Sequence, residues 1–294
     1  MKKALLFGAL ALSLNGFAQK VNGKLNLSKG QKFEVVSETK TNATQEVMGQ
    51  SMEVSSNSTF TQVYDVQDAG ANGITIEHKV KRFEVMSEGG PGQSMSYDSE
   101  NEADRKGEMG RMIDKKVLKN KYTMMVDAFG KVTSVKPDDD NPNGKKGAED
   151  DGMAAMMMQQ MGAGGSTLPK AGDKSFFSVL PSDKEVGVGE TWTDAVKKDG
   201  ADNKRTYKIT AISAEGITVE YTSETKINKE MAMMGQNAQI DMTEKGSGTV
   251  IVDRKTGVVR TLTGVSKTEG NVEVQGMTIP VTSTTNTTVT VKAL

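Results

Sequence analysis

Residues 45–59 read QEVMGQSMEVSSNST, and residues 272–286 read VEVQGMTIPVTSTTN. Both run through a β-branched residue, a Gly-centred turn, a Met, alternating apolar positions and a Ser/Thr/Asn run. A looser version, Met233-Met-Gly-Gln-Asn-Ala-Gln-Ile-Asp-Met242, lies between them. Alternation on either side of a Gly turn is how a β-hairpin is written, and one hairpin cannot bury its apolar face alone. A unit copied along the chain therefore predicts a body built from copies.

Further matches extend this outward. Tyr64-Asp-Val, a turn and Gly73-Ile-Thr-Ile-Glu77 correspond to Tyr207-Lys-Ile, a turn and Gly216-Ile-Thr-Val-Glu220. Met125-Val-Asp-Ala-Phe-Gly130-Lys-Val132 corresponds to Ile251-Val-Asp-Arg-Lys-Thr-Gly257-Val-Val259. Each is a strand, a tight Asp/Gly turn and a returning strand. In Ile74–Val80 the apolar parity is even, whereas at Phe83 and Val85 it is odd. That shift predicts a β-bulge, because one inserted residue moves every later side chain to the other face. Residues 98–118 are polar and predict a loop or short helix. The expected fold is mainly β, with one or two short helices. Two duplicated antiparallel, twisted-sheet units pack as a sandwich or wrap as a pair of half-barrels about a shared apolar groove.

Four segments follow. Residues 1–18 read as a signal peptide, with Lys2 and Lys3 ahead of an apolar run and Gly16-Phe17-Ala18 as the cleavage site. That run is about a dozen residues, too short for a bilayer core of roughly 30 Å, so no transmembrane anchor is expected. Residues 19–136 form a first β-rich half, residues 137–172 a polar and Met-rich linker with a short helix, and residues 173–294 a second β-rich half. The location expected is periplasmic or extracellular. Cys is absent, so the chain carries no lipid-anchoring Cys, disulfide or thiolate ligand. A net charge of −1, from 37 basic and 38 acidic residues, argues against nucleic acid as a partner.

Methionine is over-used, at 19 residues. Met48, Met52, Met86, Met95, Met233, Met234 and Met277 fall near expected hairpin tips, where they form either a soft apolar rim or a set of isolated exposed side chains. Met48, Met52, Met233, Met234 and Met277, together with Trp192, are the candidate ligand-binding residues. Met153, Met156, Met157 and Met161 share one helical stripe. Thioethers at that spacing suit Cu(I), but no His accompanies them, and a flexible apolar helix is the simpler reading. His78 is the only His and shares parity with Ile74, Ile76 and Val80, which places it on the packed side. No nucleophile elbow is present to partner it. Asp138-Asp-Asp140 and Glu149-Asp-Asp151 do not match a calcium-loop spacing. Glu77 and Glu220 correspond under the repeat, which accounts for their likeness. Trp192, in Gly187-Val-Gly-Glu-Thr-Trp192, reads as a core anchor or a ligand-stacking ring.

Several turn and strand-start patterns point one way: Met48-Gly-Gln50, Tyr97-Asp-Ser99, Asp127-Ala-Phe-Gly130-Lys-Val132, Val188-Gly-Glu-Thr-Trp192, and Gly246-Ser-Gly248 approaching Asp253. Through them nearly all of the chain after the signal resembles an uncharacterised family of exported β-rich Bacteroidetes proteins, a domain of unknown function. The resemblance implies an envelope location, and no activity, catalytic residue or cofactor. Many such relatives look lipid-anchored, and the missing Cys departs from that. The function expected is a non-enzymatic envelope protein binding a lipid or other apolar or amphipathic ligand between its sheets. The alternatives are an interaction protein that takes an envelope protein as partner and no small ligand, and a Met-based copper binder.

Overall fold

The computed structural model describes residues 19–47, 49–89, 94–139, 141, 168–198, 200–233 and 236–294. Met48, Met234 and the stretch carrying Met153, Met156, Met157 and Met161 lie outside the described residues. Long strands dominate: β1 (Lys32–Val47), β2 (Gln50–Gly70), β3 (Gly73–Gly89) and the short β4 (Met95–Asp98). Two short helices, α1 (Glu102–Lys106) and α2 (Glu108–Ile113), precede β5 (Tyr122–Val126) and β6 (Val132–Pro137). Then come β7 (Thr191–Lys198), β8 (Ala201–Ile212), β9 (Gly216–Met233), β10 (Gln236–Asp253), β11 (Val259–Val274) and β12 (Met277–Ala293). The mainly β, antiparallel architecture with two short helices is as the sequence predicts.

The strands form one open 12-stranded sheet in the order β6-β5-β3-β2-β1-β12-β11-β10-β9-β8-β7, with β4 added beside β3. The two units therefore meet edge to edge, by backbone hydrogen bonds, and not face to face as in a sandwich. Both halves run the same way along the sheet: β6-β5-β3-β2-β1 corresponds to β11-β10-β9-β8-β7, and β12 is the splice between them. The correspondence reaches single residues. Tyr64 pairs His78 as Tyr207 pairs Tyr221, and Ile74 pairs Val126 as Ile217 pairs Val252. Gly30 N donates to Val66 O at 2.8 Å, as Gly189 N does to Ile209 O at 2.8 Å. The bulges match too: Val66/Asp68 with Ile209/Ala211, and Met125/Val126 with Ile251/Val252. The predicted parity shift is also present, as a bulge at Thr61/Gln62 opposite Val80 and Arg82.

One expectation needs correction. The alike stretches 45–59 and 272–286 are the β1–β2 and β11–β12 hairpins, whereas the repeat counterpart of β1–β2 is β7–β8. What the two hairpins share is a two-residue turn ending in Gly, Gly49 in one and Gly276 in the other. Their likeness belongs to turn chemistry and not to the duplication.

The core sits at one end of the sheet, called the base. Val66, Ile76, Val126 and Phe177 anchor one buried cluster, and Ile209, Val219, Val252 and Val186 anchor another. Leu262 and Phe176 pack against both. Segment 21–31 ties the two clusters together: Leu25 N donates to Ala128 O at 2.7 Å and Asn26 N to Thr256 O at 2.8 Å. A third cluster, Phe60, Phe83, Val85, Tyr97, Ile113 and Val117, holds α2 and its following turn against β2 and β3. Segment 172–175 covers the β6 edge: Val132 N donates to Asp173 O, and Gly172 N to Val132 O, both at 2.8 Å. Its side chains reach the far edge as well, Lys174 pairing with Asp194 of β7 at 2.6 Å.

Turn geometry yields a contrast in stability. Gly73 has φ +122°, and a Cβ there would meet Val126 O at 2.7 Å. Gly49 has φ +77° and nothing within 4 Å of a Cβ position. Gly73→Ala is expected to destabilise by about 2–3 kcal/mol and Gly49→Ala by about 1 kcal/mol in urea unfolding, since only the first adds a clash to the left-handed backbone.

Candidate functional site

Side chains alternate faces along each strand, so the pairing register sorts them into two faces. On the face that carries the base clusters, successive rows change character. One row crosses the sheet as Ser58, Thr39, Thr287, Gly264, Gly248, Tyr221, Tyr207 and Trp192. The next holds Thr41 and Thr285, whose hydroxyls meet at 3.0 Å, with Ser266, Ser223 and Arg205. These rows form a polar belt above the apolar base.

Apolar character returns beyond the belt. Ile227 and Met242 pair directly, and Val281 stands across Gly270 from Met242. One row further, Ile240, Val272 and Ile279 are in register; the last row is Ala238, Val274 and Met277. Ala238 and Ile240 are 0% and 2% exposed, and Val272, Val274 and Ile279 are half-buried. One more polar row, Asn203, Thr225, Glu244 and Thr268, lies directly below these rows. The face thus carries a second apolar strip, separated from the core by a belt of hydroxyls and glycines into which Arg205 and Glu244 are set. The opposite face is polar. A depression of about 770 Å³ across β3, β2, β1, β12 and β11 is lined there by groups such as Asn42, Glu53, Glu88, Lys267, Glu269 and Thr284.

The sequence-predicted site residues separate. Met52 and Met277 lie on the apolar-strip face, Met277 being 45% exposed. The backbone of Met233 ends β9 opposite Gln236. Met52 and Met277 are separated along the sheet by β1. Trp192 is not with them. It stacks on Tyr207 at 5.1 Å between ring centres near the base and is 6% exposed, the core-anchor position. Asp138 pairs with Lys121 at 2.9 Å, and Glu77 lies 3.7 Å from the same Lys. Sequence reasoning missed the strip itself. Its residues come from β9, β10, β11 and β12, and only the register shows that they share a face.

His78 is fully buried, as its parity predicts. Its ring stacks on Tyr122 at 4.3 Å, and Nε2 meets Gln62 Oε1 at 2.9 Å. The Tyr64 hydroxyl donates to the same oxygen at 3.1 Å. Phe177 covers the group, 5.0 Å from Tyr64. Burial pushes the imidazole down to about 4, against a weaker opposing effect of the Asn120 backbone, and pushes both phenols up. The only His in the chain is therefore a neutral structural member of the core.

Together, fold and face define a duplicated, open-sheet β protein with a two-zoned surface. The chain belongs to DUF6263, a family of unknown function, whose pattern matches residues 71–259. No curated protein matches the sequence significantly. Among solved structures, one of lipid–protein interactions in lipovitellin is 8% identical with a TM-score of 0.49, covering 91% of this chain and 25% of that one. DynF, from the dynemicin biosynthesis pathway of Micromonospora chersina, is 6% identical with a TM-score of 0.19, covering 99% of this chain and 95% of that one. Both likenesses are too distant to carry an argument about function. Among the described residues, no helix is long and apolar enough to cross a membrane.

The buried imidazole sets a pH dependence. Its folded value, about 4, lies below the ordinary 6.5, so the unfolded chain takes up the proton first. Stability from this group is complete above pH 6.5 and is lost as pH falls from 6.5 towards 4, by at most about 3 kcal/mol. Replacing His78 with Phe, which keeps an aromatic ring against Tyr122, is expected to flatten chemical denaturation midpoints across that window. An unchanged slope would exclude His78 as its source.

Proposed function

We propose that this chain is an exported, non-enzymatic binding protein that holds an amphipathic ligand of the cell envelope against one face of its sheet. The observation that carries this reading is the half-buried part of the second apolar strip, Ile227, Met242, Val272, Ile279 and Val281, set apart from the core by the polar belt. A strip that served folding alone would join the core, because contiguous burial removes the most apolar area from water. An isolated strip several strands wide suits an alkyl chain, each buried methylene contributing on the order of 0.8 kcal/mol. The belt beneath it offers hydroxyls to the polar end of such a ligand.

The sheet is single, so the ligand lies on a face and not between two sheets. The non-enzymatic reading is supported by His78, sealed in the core and out of reach of any substrate on the strip. Export is supported by the charged, then apolar, N-terminal segment.

Native mass spectrometry of protein purified from its own host is expected to show a co-purifying amphiphile. Calorimetry should show dodecyl phosphate binding to the wild type and weakening about tenfold in a Val272→Asn, Ile227→Asn variant, the loss expected from about two displaced methylene contacts. Reproducible absence of any amphiphile, together with no binding of dodecyl phosphate, would leave the interaction-protein alternative in its place.

A further inference from the structure

The two repeats are equivalent in backbone but not in what they carry at one position of the sheet. In the first, the register brings together Phe33, Gln62, Tyr64, His78 and Tyr122. In the second, the same places hold Trp192, Arg205, Tyr207, Tyr221 and Gly248. Val35, beside Gln62, is matched by Asp194 beside Arg205. The first set is neutral, with Gln62 7% and His78 0% exposed. In the second a cation replaces the amide and a glycine replaces a ring.

The cation is poorly answered within the protein. Asp194, opposite Arg205 on β7, pairs with Lys174 at 2.6 Å, and no carboxylate among the described residues lies within ion-pair distance of Arg205. Its guanidinium rests over the Tyr221 ring, 4.9 Å from the centre. Arg205 Nε and Trp192 Nε1 are both buried donors with no acceptor among the described residues. Buried donors left unpaired are costly, and these two stand on adjacent rows of one face. Tyr207 is the same-face neighbour of Arg205 on β8, and Ser223 and Ser266 bring hydroxyls in the row of Arg205. Gly248 and Gly264 leave the space into which the Tyr221 ring leans; a Cβ on Gly248 would meet its Cε1 at 2.8 Å. Glu244, on the next row up, is the acid that β10 places nearest, and the ligand's charge has to stay on the base side of it.

We infer that Arg205, with Trp192, Tyr207 and Ser223 around it, forms an anion site for the carboxylate or phosphate head of the bound ligand, whose tail runs up the sheet to the apolar strip. Arg suits both groups, since its planar fork donates two parallel hydrogen bonds to either. The distances agree: Arg205 and Ile227 stand two same-face rows apart, roughly 13 Å, which a twelve-carbon chain spans. The tail half of this inference rests on the amphipathic-ligand reading, whereas the head half stands on Arg205 and its neighbours alone.

The test uses the full chain, calorimetry, and the emission of Trp192, the only Trp. The probes are dodecyl phosphate, dodecanoate, dodecanol and inorganic phosphate. The wild type is expected to bind the two anionic amphiphiles at least tenfold more tightly than dodecanol and to shift its Trp emission on binding them. Arg205→Gln installs the residue that the first repeat carries at Gln62, so a folded variant with an unchanged melting temperature is expected. It should lose 10- to 100-fold for the anionic probes and nothing for dodecanol. Arg205→Lys, which keeps the charge without the fork, should fall between and serves in its place if the Gln variant does not fold. Arg205-dependent binding of inorganic phosphate as tight as that of dodecyl phosphate supports the anion site with a free anion as its occupant. Equal affinity for dodecanoate and dodecanol, or anionic binding untouched in the folded Arg205 variants, overturns the head site and leaves the apolar reading standing. Failure of all three amphiphiles and phosphate to bind overturns both.

Discussion

The parity of side chains across the sheet is the constraint on which the rest depends. Each β-bulge moves the later residues of its strand to the other face, so a strip spanning β9 to β12 exists only if the bulges leave those strands in phase. They do so by recurring. The irregularities at Val66/Asp68 and Met125/Val126 reappear at Ile209/Ala211 and Ile251/Val252, close to the base in both repeats. Beyond them, from Thr249 up to Ala238, the β10 ladder to β11 is uninterrupted. Apart from the Thr61/Gln62 bulge of the first repeat, irregular pairing is thus gathered at the packed end, and the outer parts of β9 to β12 pair regularly enough to hold rows of side chains in line.

Much of this was legible in the sequence, because the signals were local. Tyr64–Glu77 and Tyr207–Glu220 declare the duplication, the parity change before Phe83 declares a bulge, and the parity of His78 places it inside. Trp192 reads as a core anchor or a ligand-stacking ring, and it lies buried with its ring stacked on Tyr207. What stayed hidden depends on pairing between strands far apart in the chain. The Met residues near the turns look like one group in the sequence, yet Met52 and Met277 stand on β2 and β12 with β1 between them. Nothing local distinguishes the β11–β12 hairpin from a copy of β1–β2. The equivalence of Tyr122 with Gly248 is likewise invisible until His78 and Tyr221 are seen to occupy the same rung.

The duplication also explains how structural and binding demands coexist. In one copy the buried side chains Gln62, Tyr64 and His78 bond to one another. The other keeps the same backbone while Arg205 and Trp192 hold donors in reserve. A half-buried guanidinium over an aromatic ring is a local departure from packing economy, and such departures gather where proteins meet ligands.

The position of β12 has a consequence for how the molecule is made. It lies in the middle of the sheet, hydrogen-bonded to β1 on one side and β11 on the other, and its first partners join residues as distant as Phe33 and Ala293. Until β12 arrives, β1 and β11 each present a long unpaired backbone edge, the template for wrong pairing with another chain. Closing such a remote junction is slow, because the entropy of the intervening loop is lost before the contacts form. A nascent chain of this topology therefore passes through a state with two sticky edges, a natural substrate for a chaperone that shields β-strands.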